Sequence, residues 1–220
     1  MGAKPNIVTD ASLQFFGRIS ASISHELKNV LAIFNENAGL LEDLTYMADQ
    51  GKPIDPKRLE KMAGTFKKQI GRADDILKNM NRFAHTIDEP VTDVNLHEII
   101  DLFLALTARF TIMQGYKLDL QLPADPVMIP TAPFFLLNLL WLCLEFSMSA
   151  GGEEKSLQLV MAETEDSVRI YFRQPSGTAQ QQPETFPSAA GEELLAVLGA
   201  DLTTEADGQE IVLRLPKHAY

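Results

Sequence analysis

His25 is the residue of this chain best suited to covalent chemistry, because an imidazole titrates near pH 6.5 and is largely a neutral nucleophile at pH 7. Glu26 follows it directly, Lys28 and Asn29 lie within the next helical turn, and Ser22 and Ser24 precede it. An imidazole, a carboxylate and an amide are therefore gathered in one short segment. That set supports nucleophilic or general-base chemistry. Other chemistries are not encoded. His85, His97 and His218 are not spaced with a second histidine or a carboxylate pair as a metal site requires. His25-Glu26-Leu27-Lys28-Asn29 begins like the HExxH zinc motif, but the second histidine is missing. There is no GxSxG elbow, P-loop or GxGxxG turn. Cys143 is the single cysteine, so an internal disulfide or a multi-cysteine metal site is excluded. Among Leu140, Trp141, Leu142 and Leu144 it reads as a small buried hydrophobe.

The elements that must carry His25 are helical. Asp10 or Ser12 can cap a first helix, after which Ile19, Ile23, Leu27, Val30, Phe34, Ala38, Leu41 and Leu44 recur at steps of three and four. At about 100° per residue His25 falls nearly opposite that stripe, with Asn29 one turn further along the same outer face. The segment from Gln50 to Pro56 breaks the pattern, and the stripe resumes at Leu59, Met62, Phe66, Ile70, Ala73, Leu77, Met80 and Ala84. Glu89-Pro90 closes the second helix, since the residue before proline is pushed out of the helical region. Two long one-faced helices cannot bury both stripes as an isolated pair. A four-helix bundle formed by homodimerisation through residues 10–88 is the expected solution; the alternative is that the C-terminal part folds back over the hairpin.

The rest reads as an α+β layer, with helices covering one face of a mixed sheet. Helices are expected from about Leu96 to Met113, Ala132 to Ala150 and Ala189 to Leu198. Strands are expected at Lys117 to Leu122, Leu157 to Ala162, Val168 to Arg173, Asp201 to Thr204 and Glu210 to Leu215. Gln174 to Pro187 reads as a loose loop. The domain boundaries are thus 1–90 for the hairpin and 91–220 for the α/β part.

Charge and composition limit the partners. The 220 residues carry 30 acidic and 19 basic side chains, a formal charge of −11. A surplus of that sign argues against nucleic acid as the main partner. Lys52 to Arg82 runs against it, with nine basic and four acidic residues, either a solvated face or a docking surface for an acidic protein. The start of the chain has no apolar run typical of a signal peptide. The apolar stretch from Pro133 to Phe146 contains Asn138 and Glu145 and is too short for a bilayer. A cytoplasmic location without a membrane partner is expected.

The string Ile23-Ser24-His25-Glu26-Leu27-Lys28-Asn29-Val30-Leu31 resembles the phosphoacceptor box of sensor histidine kinases, with Val30 in place of the family's proline. The resemblance implies a dimerisation and phosphoacceptor hairpin in which His25 accepts phosphate, Glu26 accepts its proton and Asn29 orients a water for phosphatase action. Residues 91–218 resemble the ATP-binding domain of the same family, with every nucleotide box altered. Asn138-Leu139-Leu140-Trp141-Leu142-Cys143 puts Leu142 where the family's magnesium-binding asparagine belongs, and a hard cation requires oxygen ligands. Gln174-Pro175-Ser176-Gly177-Thr178 replaces the adenine-reading Asp-x-Gly-x-Gly box, and Glu192 and Glu193 stand in the glycine-rich lid. No cofactor is therefore expected in this chain, and magnesium would come with a receiver partner.

Taken together, these features resemble the dimeric histidine phosphotransferases of phosphorelays, which pass a phosphoryl group between response-regulator receiver aspartates without ATP-dependent kinase activity. Two alternatives keep the fold: a response-regulator phosphatase using Asn29 and Glu26, and a non-catalytic dimeric scaffold or inhibitor of a two-component kinase.

Overall fold

The structure, a computed structural model, describes residues 7–88, 90–151, 154–174, 186–204 and 210–218. Two long helices open the chain, α1 (Ile7–Asp49) and α2 (Pro56–His85). Gly51 lies between them with φ of +82°, a left-handed conformation that strains any residue with a Cβ, and its N–H bonds the Ala48 carbonyl at 2.9 Å. Pro56 opens α2 at a position where its missing N–H costs nothing, and the Asp55 carboxylate accepts from the Lys57 amide at 3.0 Å. α1 starts earlier than its capping signals suggested. Asp10 sits within the first turn, and Ser12 is a buried mid-helix residue whose hydroxyl accepts from the Asn138 side chain at 3.1 Å. Glu89 and the loop residues 175–185 lie outside the described residues.

The chain forms two compact units. One is Ser20–Arg82; the other joins α1 up to Ile19 with the chain from Phe83 onward. In the first, α1 and α2 run antiparallel: Phe34 stacks on Phe66 with ring centroids 5.4 Å apart, and Leu44 and Met62 line one small cavity near the turn. Ile23, Val30, Leu44 and Met62 are buried. The remaining apolar surface is not covered within the protomer, for Leu31 is 63% exposed, Ile70 58%, Leu77 47% and Met80 44%. Apolar residues of both helices thus extend beyond the contact between them and face solvent.

The second unit is the α+β layer. A five-stranded mixed sheet has the order β2 (Lys117–Gln121), β4 (Ser156–Glu163), β5 (Ser167–Arg173), β7 (Glu210–Pro216) and β6 (Asp201–Thr204), with only β2 and β4 parallel. α3 (Leu96–Met113), α4 (Pro133–Ser149) and α5 (Ala189–Leu198) supply the helical layer. Leu157, Leu159, Ile170, Phe172 and Leu213 point to the core by strand alternation and are buried, as are Ile100, Phe103, Leu136, Leu140 and Leu194 of the helices. Asn95 caps α3, accepting from the His97 amide at 3.0 Å; Ser188 caps α5, and Gly199 ends it at φ of +58°.

A further antiparallel ribbon, β1 (Thr92–Asn95) with β3 (Met128–Thr131), has no counterpart in the sequence reading. β1 has a single apolar residue, Val94, and Pro130 within β3 argues against a strand on propensity alone.

Residues 7–19 of α1 are part of this second unit. Phe15 is buried in a ring cluster with Phe83, Phe134 and Trp141, and Arg18 pairs with Glu145 above the Trp141 ring. Among the described residues no helix is long and apolar enough to cross a membrane.

Candidate functional site

His25 sits well inside α1, eighteen residues past its first residue, where the helix is fully hydrogen-bonded and the side chain's direction is set by the backbone. Burial follows the helical period. Ile19, Ile23 and Val30 are buried and Leu27 is half-buried, while His25, Lys28 and Asn29 are exposed. The imidazole and the Asn29 amide are thus on the solvent side of the helix, one turn apart. Glu26 is tied down: its carboxylate lies 3.6 Å from the Arg72 guanidinium of α2, with the Glu26 side chain only 24% exposed. The ion pair orients the carboxylate on the flank of α1 beside the histidine. Ser24 is exposed, but Ser22 is buried and is not part of the solvent-facing ridge.

Arg72 was not singled out from the sequence. Its signal is the turn at residues 50–55: folding two antiparallel helices about that turn brings the middle of one opposite the middle of the other. The same fold places the exposed Lys57, Arg58 and Lys61 at the turn end of α2. Among the described residues, no group of three or more histidine, cysteine or acidic side chains is placed to hold a metal ion.

In the second unit, the residues of the altered nucleotide boxes have structural partners. Asn138 is 1% exposed, with its amide donating to Ser12. Leu142 is half-buried against the start of α5, where a Cβ on Gly191 would sit 3.8 Å from a Leu142 methyl and 2.9 Å from Pro187. Gln174 is buried, and its amide donates to the Ser147 carbonyl near the end of α4. Phe186 stacks on Phe146 with centroids 4.1 Å apart. Glu192 is exposed in the first turn of α5, whereas Ser176 lies outside the described residues.

No protein-family model matches the chain, and no curated protein matches it in sequence. Similar solved structures are histidine kinases. The catalytic domain of histidine kinase ThkA is 12% identical with a TM-score of 0.47, the match covering 59% of this chain and 98% of that one. The histidine kinase AdeS of Acinetobacter baumannii is 10% identical with a TM-score of 0.49, covering 89% and 98%. A structure of ThkA in complex with response regulator TrrA is 15% identical with a TM-score of 0.48, covering 94% of this chain and 63% of that one.

Proposed function

We propose that the protein is a phosphorelay histidine phosphotransferase, carrying a phosphoryl group from the aspartate of one response-regulator receiver to that of another through His25. The observation that supports this best is the exposure of His25 on the side of α1 away from Ile19, Ile23 and Val30, beside a carboxylate held by Arg72. A receiver's cleft can reach an imidazole so placed without unpacking the helix.

In the forward step a neutral ring nitrogen attacks the aspartyl phosphate. A P–N bond forms, the P–O bond to the aspartate breaks, and the carboxylate leaves. The proton shed by the resulting imidazolium passes to Glu26 or solvent; transfer to the second receiver reverses these events. Such transfers depend mainly on positioning and charge neutralisation. Magnesium comes with the receiver.

The proposal includes a homodimer, with a second copy covering Leu31, Ile70, Leu77 and Met80, which the protomer leaves exposed. It assigns no ATP chemistry to the second unit, where Leu142 offers no oxygen to a cation and the Gln174 amide is engaged with the α4 backbone.

The test is a receiver charged with labelled acetyl phosphate and mixed with the protein. Label arriving on the protein, stable to alkali and lost in acid, supports the phosphotransferase. Release as free phosphate with no labelled protein supports the phosphatase reading through Asn29 and Glu26. Label that remains on the receiver favours the scaffold.

A further inference from the structure

We infer that the sheet face bearing Arg169 and Arg214 is a binding site for a small organic anion, one carboxylate or phosphate group carried on an aromatic or apolar body. In β5 and β7 the buried residues alternate with a second set, and that set forms three cross-strand rows. The first row is Arg169, Arg214 and Asp201, paired directly across β5, β7 and β6. Next to it lie Val160, Tyr171, Val212 and Thr203, and beyond these Arg173 opposite Glu210.

Within these rows of β5, β7 and β6 the charges are matched with one exception. Arg214 bonds Asp201 at 3.2 Å, and Arg173 pairs with Glu210 while lying 4.4 Å from the Tyr171 ring centroid. Arg169 has no ion-pair partner among the described residues and stands directly opposite another arginine. Like charges in that position destabilise a sheet. Opposite Arg214, a carboxylate at residue 169 would be the stabilising choice. A bound anion between the two guanidinium groups removes the penalty, because planar guanidinium forks match carboxylate and phosphate oxygens.

The face is also recessed. Arg169, Arg214, Tyr171 and Val212 line a cavity of about 890 Å³, bounded on another side by Leu195 and Glu192 of α5. Tyr171 and Val212 are half-buried and form an apolar shelf in the row beside the arginines. Glu192 repels an anion at the α5 wall, so the charged group belongs at Arg169 and the apolar body along the shelf. The arrangement sacrifices some stability for binding, as functional sites commonly do.

Calorimetric and amide-NMR titrations with phenyl phosphate, benzoate and inorganic phosphate test this. Phenyl phosphate or benzoate should bind saturably, tighter than inorganic phosphate, with shifts centred on Tyr171 and Val212. Comparing the two aromatic anions distinguishes a phosphate from a carboxylate ligand. Arg169→Gln should weaken binding at least about fivefold. Arg169→Glu should abolish it while raising the melting temperature, since the new carboxylate faces Arg214. No saturable binding by any of the three at about 10 mM, weaker than the millimolar level worth −4.1 kcal/mol, overturns the inference. So does unchanged affinity in Arg169→Gln, or a melting temperature that falls in Arg169→Glu.

Discussion

At the scale of single residues, the proposed chemistry separates cleanly from stability. His25 is exposed, so His25→Gln should change unfolding free energy by less than about 0.5 kcal/mol while abolishing acid-labile label on the protein. Transfer that survives in His25→Gln would remove His25 from the mechanism. Asn29→Ala should leave labelling of His25 intact; a fall in phosphate release without labelling would instead mark the phosphatase. A second residue-scale expectation concerns alkaline pH. Burial pushes the Cys143 thiol well above its ordinary 9.0, and burial likewise raises the Tyr116 phenol above 10.0, where its hydroxyl donates to the Met148 carbonyl at 2.7 Å. The fold favours the protonated form of both groups. Their contribution is therefore fully present below the unfolded values and is lost as pH climbs above about 9. Urea melts between pH 7.5 and 10.5 should show stability falling with pH, and a thiol reagent should react with Cys143 only on unfolding. Rapid modification of the native protein would contradict this burial.

At the scale of elements, the two faces of the hairpin give opposite outcomes for one kind of substitution. Val30 is 1% exposed, so Val30→Glu places an unpaired charge inside the α1–α2 contact and should unfold the hairpin, a penalty of several kcal/mol. Ile70 is 58% exposed in the protomer, so Ile70→Glu should keep helicity by circular dichroism and convert the dimer to monomer by light scattering. A wild-type monomer at micromolar concentration would sink the dimer.

The long helices were legible in the sequence because their repeat is local and sustained over many turns. The central strands β4, β5 and β7 were legible because alternation survives over seven or eight residues. β1 and β3 were not, since β1 has a single apolar residue, Val94, and β3 carries Pro130. His25, Glu26 and Asn29 are neighbours in sequence and could be read as a group. Arg72 and the Ser12–Asn138 bond depend on chain reversals and on packing between distant segments, which no local pattern encodes.

For the whole molecule, the absence of ATP chemistry is the expectation with the widest consequence. Magnesium and ATP at about 1 mM should give no calorimetric binding isotherm, a level where even weak sites of −4.1 kcal/mol are half filled. A dissociation constant below about 100 μM would restore a nucleotide role to the second unit. One architectural feature bears on how the protein is made. Residues 7–19 belong to the unit whose helix α4 begins only at Pro133, whereas Ser20–Arg82 are contiguous. During synthesis the hairpin can close as soon as α2 emerges, but Phe15 has no Trp141 or Phe134 to cover it until much later. The nascent chain therefore carries an uncovered aromatic helix end until Phe134 and Trp141 have emerged, an early client for chaperones. A fragment starting at residue 91 would be born with the complementary defect, Trp141 and Phe134 lacking their cover, and should aggregate where the full chain does not.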